Sequence, residues 1–146
     1  MLPGTTIILG GPEVSFDVEY WLTEHEAIDY IIAGEGEEAL RRFLEEYARC
    51  GGRLGAENLA SVPGLAYRTG GGAVVQNPAQ PLDLAALPPI YQGDLADLQD
   101  KIVYFETTRG CPFRCAYCLS SVMGPVRAFP LDRAKEELAA LAAAGV

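Results

Sequence analysis

Three of the four cysteines, Cys111, Cys115 and Cys118, stand in the order C-x3-C-x2-C within one short stretch of the chain. Thiolates grouped so tightly share a metal ion or an iron-sulfur cluster, whereas a local disulfide would leave one of the three without a partner. Three thiolates on a loop can bind three irons of a 4Fe-4S cluster and leave the fourth iron open to a substrate or cofactor. Zinc is the competing reading. A closed structural zinc site needs a fourth protein ligand, catalytic zinc mostly uses His and carboxylates, and only Cys115 and Cys118 have the spacing of a zinc knuckle. The single histidine, His25, lies far away between Glu24 and Glu26 and reads as a solvated residue near a helix end. Cys50 falls where a helix is expected to stop, and reads as a structural or incidental thiol.

The elements that must carry this loop follow from periodicity. Ile102-Val103-Tyr104-Phe105 predicts a strand running into Thr107–Cys118, and the alanine-rich segment from about Leu131 to Ala144 predicts a helix, with Leu131, Ala134, Leu138 and Leu141 as its apolar stripe. Upstream, Thr5-Thr6-Ile7-Ile8-Leu9 predicts a buried parallel strand that stops at Gly10-Gly11-Pro12. Ser15 or Asp17 could cap a short helix reaching about Glu24. Ile28–Ile32 predicts a second strand, followed at once by Gly34-Glu35-Gly36-Glu37. The next helix, about Glu37 to Arg49, has Leu40, Phe43, Leu44 and Tyr47 as its stripe, acidic residues in its first turn, and Gly51-Gly52 as its stop. Residues 51–58 read as loop. Leu65–Arg68 and Ala73–Gln76 flank Thr69-Gly70-Gly71-Gly72 and predict an antiparallel hairpin, small enough to be an appendage.

Composition bounds the function. The chain has 146 residues, 49% of them apolar, enough for a packed core. Its net charge is −9, its pI is near 4.5, and it has no Lys/Arg-rich run, which argues against nucleic acid and for a small-molecule or protein partner. No apolar run has membrane-helix length and no signal peptide is evident, so the cytoplasm is the expected place and no membrane contact is expected. Cysteines in such a chain read as reduced thiols or metal ligands.

The motif T-T-R-G-C-P-F-R-C-A-Y-C-L-S-S, with aromatic Tyr117 just before the last cysteine, resembles the cluster motif of the radical S-adenosylmethionine (SAM) superfamily. It is most similar to the branch with an N-terminal cobalamin-binding domain. G-G-P-E-V-S, Y-I-I-A-G-E-G-E, P-G-L-A-Y-R and a proline-bearing linker follow in the order of that branch. The resemblance implies that Cys111, Cys115 and Cys118 ligate a 4Fe-4S cluster, that SAM chelates its open iron, and that Tyr117 lies near the adenine. Gly110 and Pro112 would shape the turn around the cluster. Arg109 would either counter the cluster's charge or serve in packing. Gly10 and Gly11 would let the tail of cobalamin pass close to the backbone, with Gly34, Glu35 and Gly36 lining the same pocket edge.

The resemblance further implies a cobalamin-associated radical SAM enzyme. It would form a 5'-deoxyadenosyl radical for methyl transfer or carbon-skeleton chemistry on a small molecule, fed by an electron donor such as a flavodoxin or ferredoxin. The alternative is a non-catalytic module that holds zinc or a structural cluster through the three cysteines. A tRNA-modifying relative is disfavoured by the acidity. The expected fold class is α/β. Residues 1–76 would be the C-terminal part of a cobalamin-binding-type Rossmann-like domain with its hairpin, residues 77–100 a linker, and residues 101–146 the first βα unit of a radical SAM partial TIM barrel. The Asp-x-His-x-x-Gly motif of that family does not occur here, and its glycine-rich SAM motif would lie beyond Val146, so the chain is expected to be a fragment.

Overall fold

The computed structural model describes residues 4–122 and 124–146. They form two compact units, one ending at Leu82 and the other beginning at Asp83. The first unit is built on a sheet of four strands in the order β1 (Ile8–Gly10), β2 (Tyr30–Ile32), β3 (Leu65–Arg68), β4 (Val74–Gln76). Strands β1 and β2 are parallel, with Ile8 opposite Tyr30 and Gly10 opposite Ile32, while β3 and β4 run antiparallel to their neighbours.

Side chains alternate across this sheet and both faces are covered. On one face Leu9, Ile31, Ala66 and Val74 meet Val14, Val18 and Leu22, which come from α1 (Pro12–Ser15) and α2 (Val18–Glu24). On the other face Ile8, Ile32, Leu65, Tyr67 and Val75 meet Ala39, Phe43 and Leu59. Those three belong to α3 (Glu37–Arg49) and α4 (Ala56–Ala60). The expected α/β class with a Rossmann-like unit is therefore what the chain adopts.

Local chemistry explains the helix limits. Asp17 caps α2 by accepting the Tyr20 N–H at 3.3 Å. Helix α3 begins with Glu37 and Glu38 and ends with Arg49, charges that suit its dipole. The guanidinium of Arg68 on β3 donates to the carbonyls of Leu22, Glu26 and Ile28, satisfying groups that the end of α2 leaves open.

Four expectations are corrected. The hairpin is no appendage: β3 lies inside the sheet with Leu65 and Ala66 fully buried, because one of its edges pairs with β2 and the other with β4. Residues 51–58 are not all loop, since α4 starts at Ala56; the Asn58 side chain accepts the Gly55 N–H at 3.0 Å and donates to Glu46 at 2.6 Å. The stripes are rotated: Ala39 and Phe43 are buried on α3 while Leu40 and Leu44 are exposed, and on the last helix, α5 (Leu131–Ala143), Ala134 and Leu141 are buried while Leu131 and Leu138 are exposed. A helix with apolar residues on two adjacent lines can present either, and packing selects one. Finally, residues 102–105 are not a strand. Ile102 and Tyr104 point outward and Val103 and Phe105 are half-buried, as in a strand, but among the described residues no strand runs beside them to complete a ladder.

The second unit contains the two-residue strands β5 (Thr108–Arg109) and β6 (Arg127–Ala128), paired antiparallel, and the helix α5 (Leu131–Ala143). Arg133 on α5 pairs with Glu137 at 2.6 Å, donates to the Leu87 carbonyl, and lies over the Phe129 ring. The Gln99 side chain donates to the Ala144 carbonyl at the end of α5 at 2.9 Å. Among the described residues no helix is long and apolar enough to cross a membrane.

Candidate functional site

Strands β5 and β6 close the base of a loop that carries all three motif cysteines. Beyond the ladder, Phe129 N–H donates to Thr107 O at 3.0 Å and Cys111 N–H to Gly124 O at 3.4 Å, so the two stems of the loop are stitched over several residues. Gly110 sits at the point where the loop leaves β5. Its φ is +96°, and a Cβ built there would fall 2.9 Å from Pro125 C and 3.1 Å from Gly124 O. Only a residue without a side chain allows the two stems to approach this closely. The sequence expectation that Gly110 shapes the turn thus has a definite physical form.

Cys111, Cys115 and Cys118 are all free thiols and all half-buried, and a tight turn joins the last two, with Cys118 N–H on Cys115 O at 3.1 Å. Among the described residues no three His, Cys, Asp or Glu side chains stand together in a group that could hold a metal ion. The loop therefore carries three free thiols in sequence order, and the structure does not bring them into one ligand set. As a donor set, unpaired soft thiols within one short loop suit an iron-sulfur cluster. Tyr117 is 92% exposed beside them. Cys50 belongs to the first unit, at the C-cap of α3, and His25 is exposed at the end of α2 with its ring stacked on Trp21 at 5.1 Å. Neither shares the loop.

Arg109 does not stand as an isolated positive charge before Cys111. Its Nε and Nη2 donate to the two carboxylate oxygens of Glu106 at 3.1 and 2.8 Å. The sequence reading passed over Glu106, although a Glu three residues before an Arg at the foot of the cysteine loop is a visible signal.

The glycines of the first unit come together through the parallel pair. Gly10 ends β1 opposite Ile32 at the end of β2, so Gly10-Gly11 and Gly34-Glu35-Gly36 are adjacent turns at the carboxyl ends of two parallel strands. That is where ligands bind in open α/β sheets. A Cβ on Gly11 or Gly34 would meet no atom within 4 Å, so both turns border open space. Ser15 ties them, donating to Gly11 O at 2.7 Å and accepting the Gly34 N–H at 3.2 Å. Glu35 is turned to a structural task, accepting the Leu82 N–H at 3.1 Å, and Gly36 is the N-cap of α3.

A parallel-strand unit with glycine turns at its strand ends, followed by a C-x3-C-x2-C loop, is the order of parts that the sequence motifs imply. Known proteins resemble it in sequence and in fold. The chain is 32% identical over 93% of its length to the 2-(S-pantetheinyl)-carbapenam-3-carboxylate methyltransferase of Streptantibioticus cattleyicolor, and covers 21% of that protein. It is 32% identical over 80% of its length to the anaerobic magnesium-protoporphyrin IX monomethyl ester cyclase of Rubrivivax gelatinosus, covering 22% of it. In fold it matches the cobalamin-dependent S-adenosylmethionine radical enzyme OxsB, solved with aqua-cobalamin and S-adenosylmethionine bound. That match has a TM-score of 0.72 and 23% identity over 95% of this chain and 19% of that one. No family model matches the sequence. In sequence the chain is similar to this methyltransferase and this cyclase and in fold to OxsB, and it spans about a fifth of the length of each.

Proposed function

We propose that this chain is the portion of a cobalamin-dependent radical SAM enzyme that joins the cobalamin side to the iron-sulfur cluster. Residues 1–76 would belong to the cobalamin-binding domain, 77–100 to a linker, and 101–146 to the start of the radical SAM domain. The observation that carries this reading is the loop closed by β5 and β6, which holds three free, half-buried cysteines in C-x3-C-x2-C order. Cys111, Cys115 and Cys118 would supply three thiolates to a 4Fe-4S cluster, and SAM would take the place that no protein ligand fills. When bound and reduced, such a cluster supplies the electron that splits SAM into methionine and a 5'-deoxyadenosyl radical.

The chain's own part is to hold and orient these groups. Gly110 lets the loop stems close, and Tyr117 offers an exposed aromatic face to the adenine. Gly10, Gly11, Gly34 and Gly36 keep the ends of β1 and β2 free of side chains where the tail of cobalamin would pass, with Ser15 and Glu35 holding the turns in place. The names of the relatives, a methyltransferase and a cyclase, point to methyl transfer or carbon-skeleton chemistry on a small molecule. A cytoplasmic one-electron carrier such as a flavodoxin or ferredoxin would reduce the cluster.

The test is anaerobic reconstitution of the chain with iron and sulfide, followed by EPR of the reduced protein with and without SAM. A cluster signal that changes on adding SAM supports the reading. Tight zinc binding with no cluster would sink it in favour of a structural metal module.

A further inference from the structure

The stretch that precedes the cysteine loop is fastened to both ends of α5. The second unit already begins at Asp83 and Leu84 is buried, so residues 83–99 form a strap within this unit. Near the start of α5 the Leu87 carbonyl accepts from Arg133 Nη1, and past its end the Gln99 side chain donates to Ala144 O at 2.9 Å. Arg133 Nε donates to Glu137 Oε1 at 2.6 Å, and its guanidinium lies 5.6 Å from the centre of the Phe129 ring, within cation–π range. The Arg133 and Glu137 side chains are only 19% and 12% exposed, so these are packed contacts and not a solvated surface pair. Phe129 is the residue whose N–H closes on Thr107 O across the two stems of the loop. Ile90 of the strap, Phe105, Phe129 and Arg133 line one small pocket. The strap, the chain entering the loop, the chain leaving it and the helix thus meet at one guanidinium. Arginine suits the place because its planar fork donates in several directions at once, which the point charge of a lysine does not.

We infer that Arg133 is a positioning residue for the cysteine loop: by holding Leu87 O and the Phe129 ring together it locks the strap to the stem that leaves the loop, and keeps the base of the loop in register. This rests on the cluster reading above for its effect on metal uptake, though not for its effect on the thiols. Glu137 orients the guanidinium through Nε. The hold on the loop comes from the contacts with Leu87 and Phe129.

Three variants of the full chain test it beside wild type. Glu137→Gln keeps an acceptor for Nε and leaves both holding contacts in place. Arg133→Lys keeps a cation beside Phe129 but loses the fork. The double variant Arg133→Met, Glu137→Gln removes the donor to Leu87 O without leaving a carboxylate unpaired. In the metal-free protein, labelling of each cysteine by a thiol reagent is followed by mass spectrometry, with Cys50 on the other unit as the internal reference. Relative to Cys50, the loop thiols should react severalfold faster in the double variant, at an intermediate rate in Arg133→Lys, and at the wild-type rate in Glu137→Gln. A purely stabilising role predicts something else: labelling would follow the urea midpoint of each variant, that of Glu137→Gln included. Iron bound after reconstitution should fall in the same order as protection. Equal labelling in all four proteins, or a rise in Glu137→Gln as large as in the double variant, overturns the inference. Should the double variant lose its helicity, Arg133→Lys against Glu137→Gln decides on the same criterion. If wild type takes up no cluster, the cluster reading fails on its own and the labelling rates still decide the role of Arg133.

Discussion

The hydroxyl of Ser15 accepts the Gly34 N–H at 3.2 Å while donating to Gly11 O at 2.7 Å, so one side chain joins the turns that follow two parallel strands. Ser15→Ala removes both bonds and leaves the Gly34 N–H without a protein partner. A loss of about 1 kcal/mol in stability is expected, with faster amide exchange at Gly34 and little change in the core strands. Thr at this position should recover most of the loss. Unchanged exchange at Gly34 would contradict the role given to Ser15.

Gly110 is expected to tolerate no side chain. Gly110→Ala forces a φ of +96° on a residue with a Cβ and pushes that Cβ towards Pro125 and Gly124. The backbone strain alone costs about 1–3 kcal/mol. Urea unfolding of the second unit, followed by near-UV signals of its tyrosines, should shift to lower concentration, and anaerobic iron uptake should fall. An alanine variant with wild-type uptake and midpoint would show that the stems do not meet as described.

Acid should weaken α3 through one carboxylate. Arg41 first, then Arg42, hydrogen-bond to Glu38 and hold its carboxyl down to about 2 from an ordinary 4.5. Because the folded value lies below the unfolded one, this contribution is present above about pH 4.5 and is lost as pH falls towards 2. The Glu38 and Arg41 side chains remain 33% and 55% exposed, so the effect is modest. Helicity measured by circular dichroism should hold from pH 7 to 5 and decline below, and Glu38→Gln should flatten part of that decline. The same pH profile in both proteins would remove Glu38 from the account.

The cysteines should separate cleanly by substitution. Cys111, Cys115 or Cys118→Ala should each lower iron bound after reconstitution by severalfold or more, while Cys50→Ala should leave it at the wild-type level. Cys50 lies on the other unit, at the end of α3, and has no place on the loop. Loss of iron in Cys50→Ala would show that the three-thiol assignment is incomplete.

Much of the first unit was legible where the signal was local. The limits of α3, Glu37 to Arg49, follow from its acidic start and glycine stop, and the turn residues of the β3–β4 hairpin announce themselves. Helix α4 was hidden because its first turn depends on Asn58 reaching Gly55 and Glu46, contacts that no periodicity encodes. Leu40 and Leu44 were placed on the wrong side because two apolar lines run along α3, and the choice between them is made by the sheet it covers. Residues 102–105 show the converse: a strand pattern in sequence becomes a strand only where another strand supplies its hydrogen bonds.

Sequence alone determined which thiols are candidate donors, since thiol chemistry depends on residue type and spacing, and C-x3-C-x2-C with Tyr117 is written within one short stretch. It also determined which glycines end the parallel strands. Tertiary structure decided how these pieces are held. Gly110 faces Pro125, Ser15 spans Gly11 and Gly34, and Glu106 accepts two hydrogen bonds from Arg109. The spacing that brings Gly110 to Pro125, or Ser15 to Gly34, is set by strand register and helix packing. Those arise from burying both faces of a sheet and from closing a hairpin, which no single stretch of residues contains.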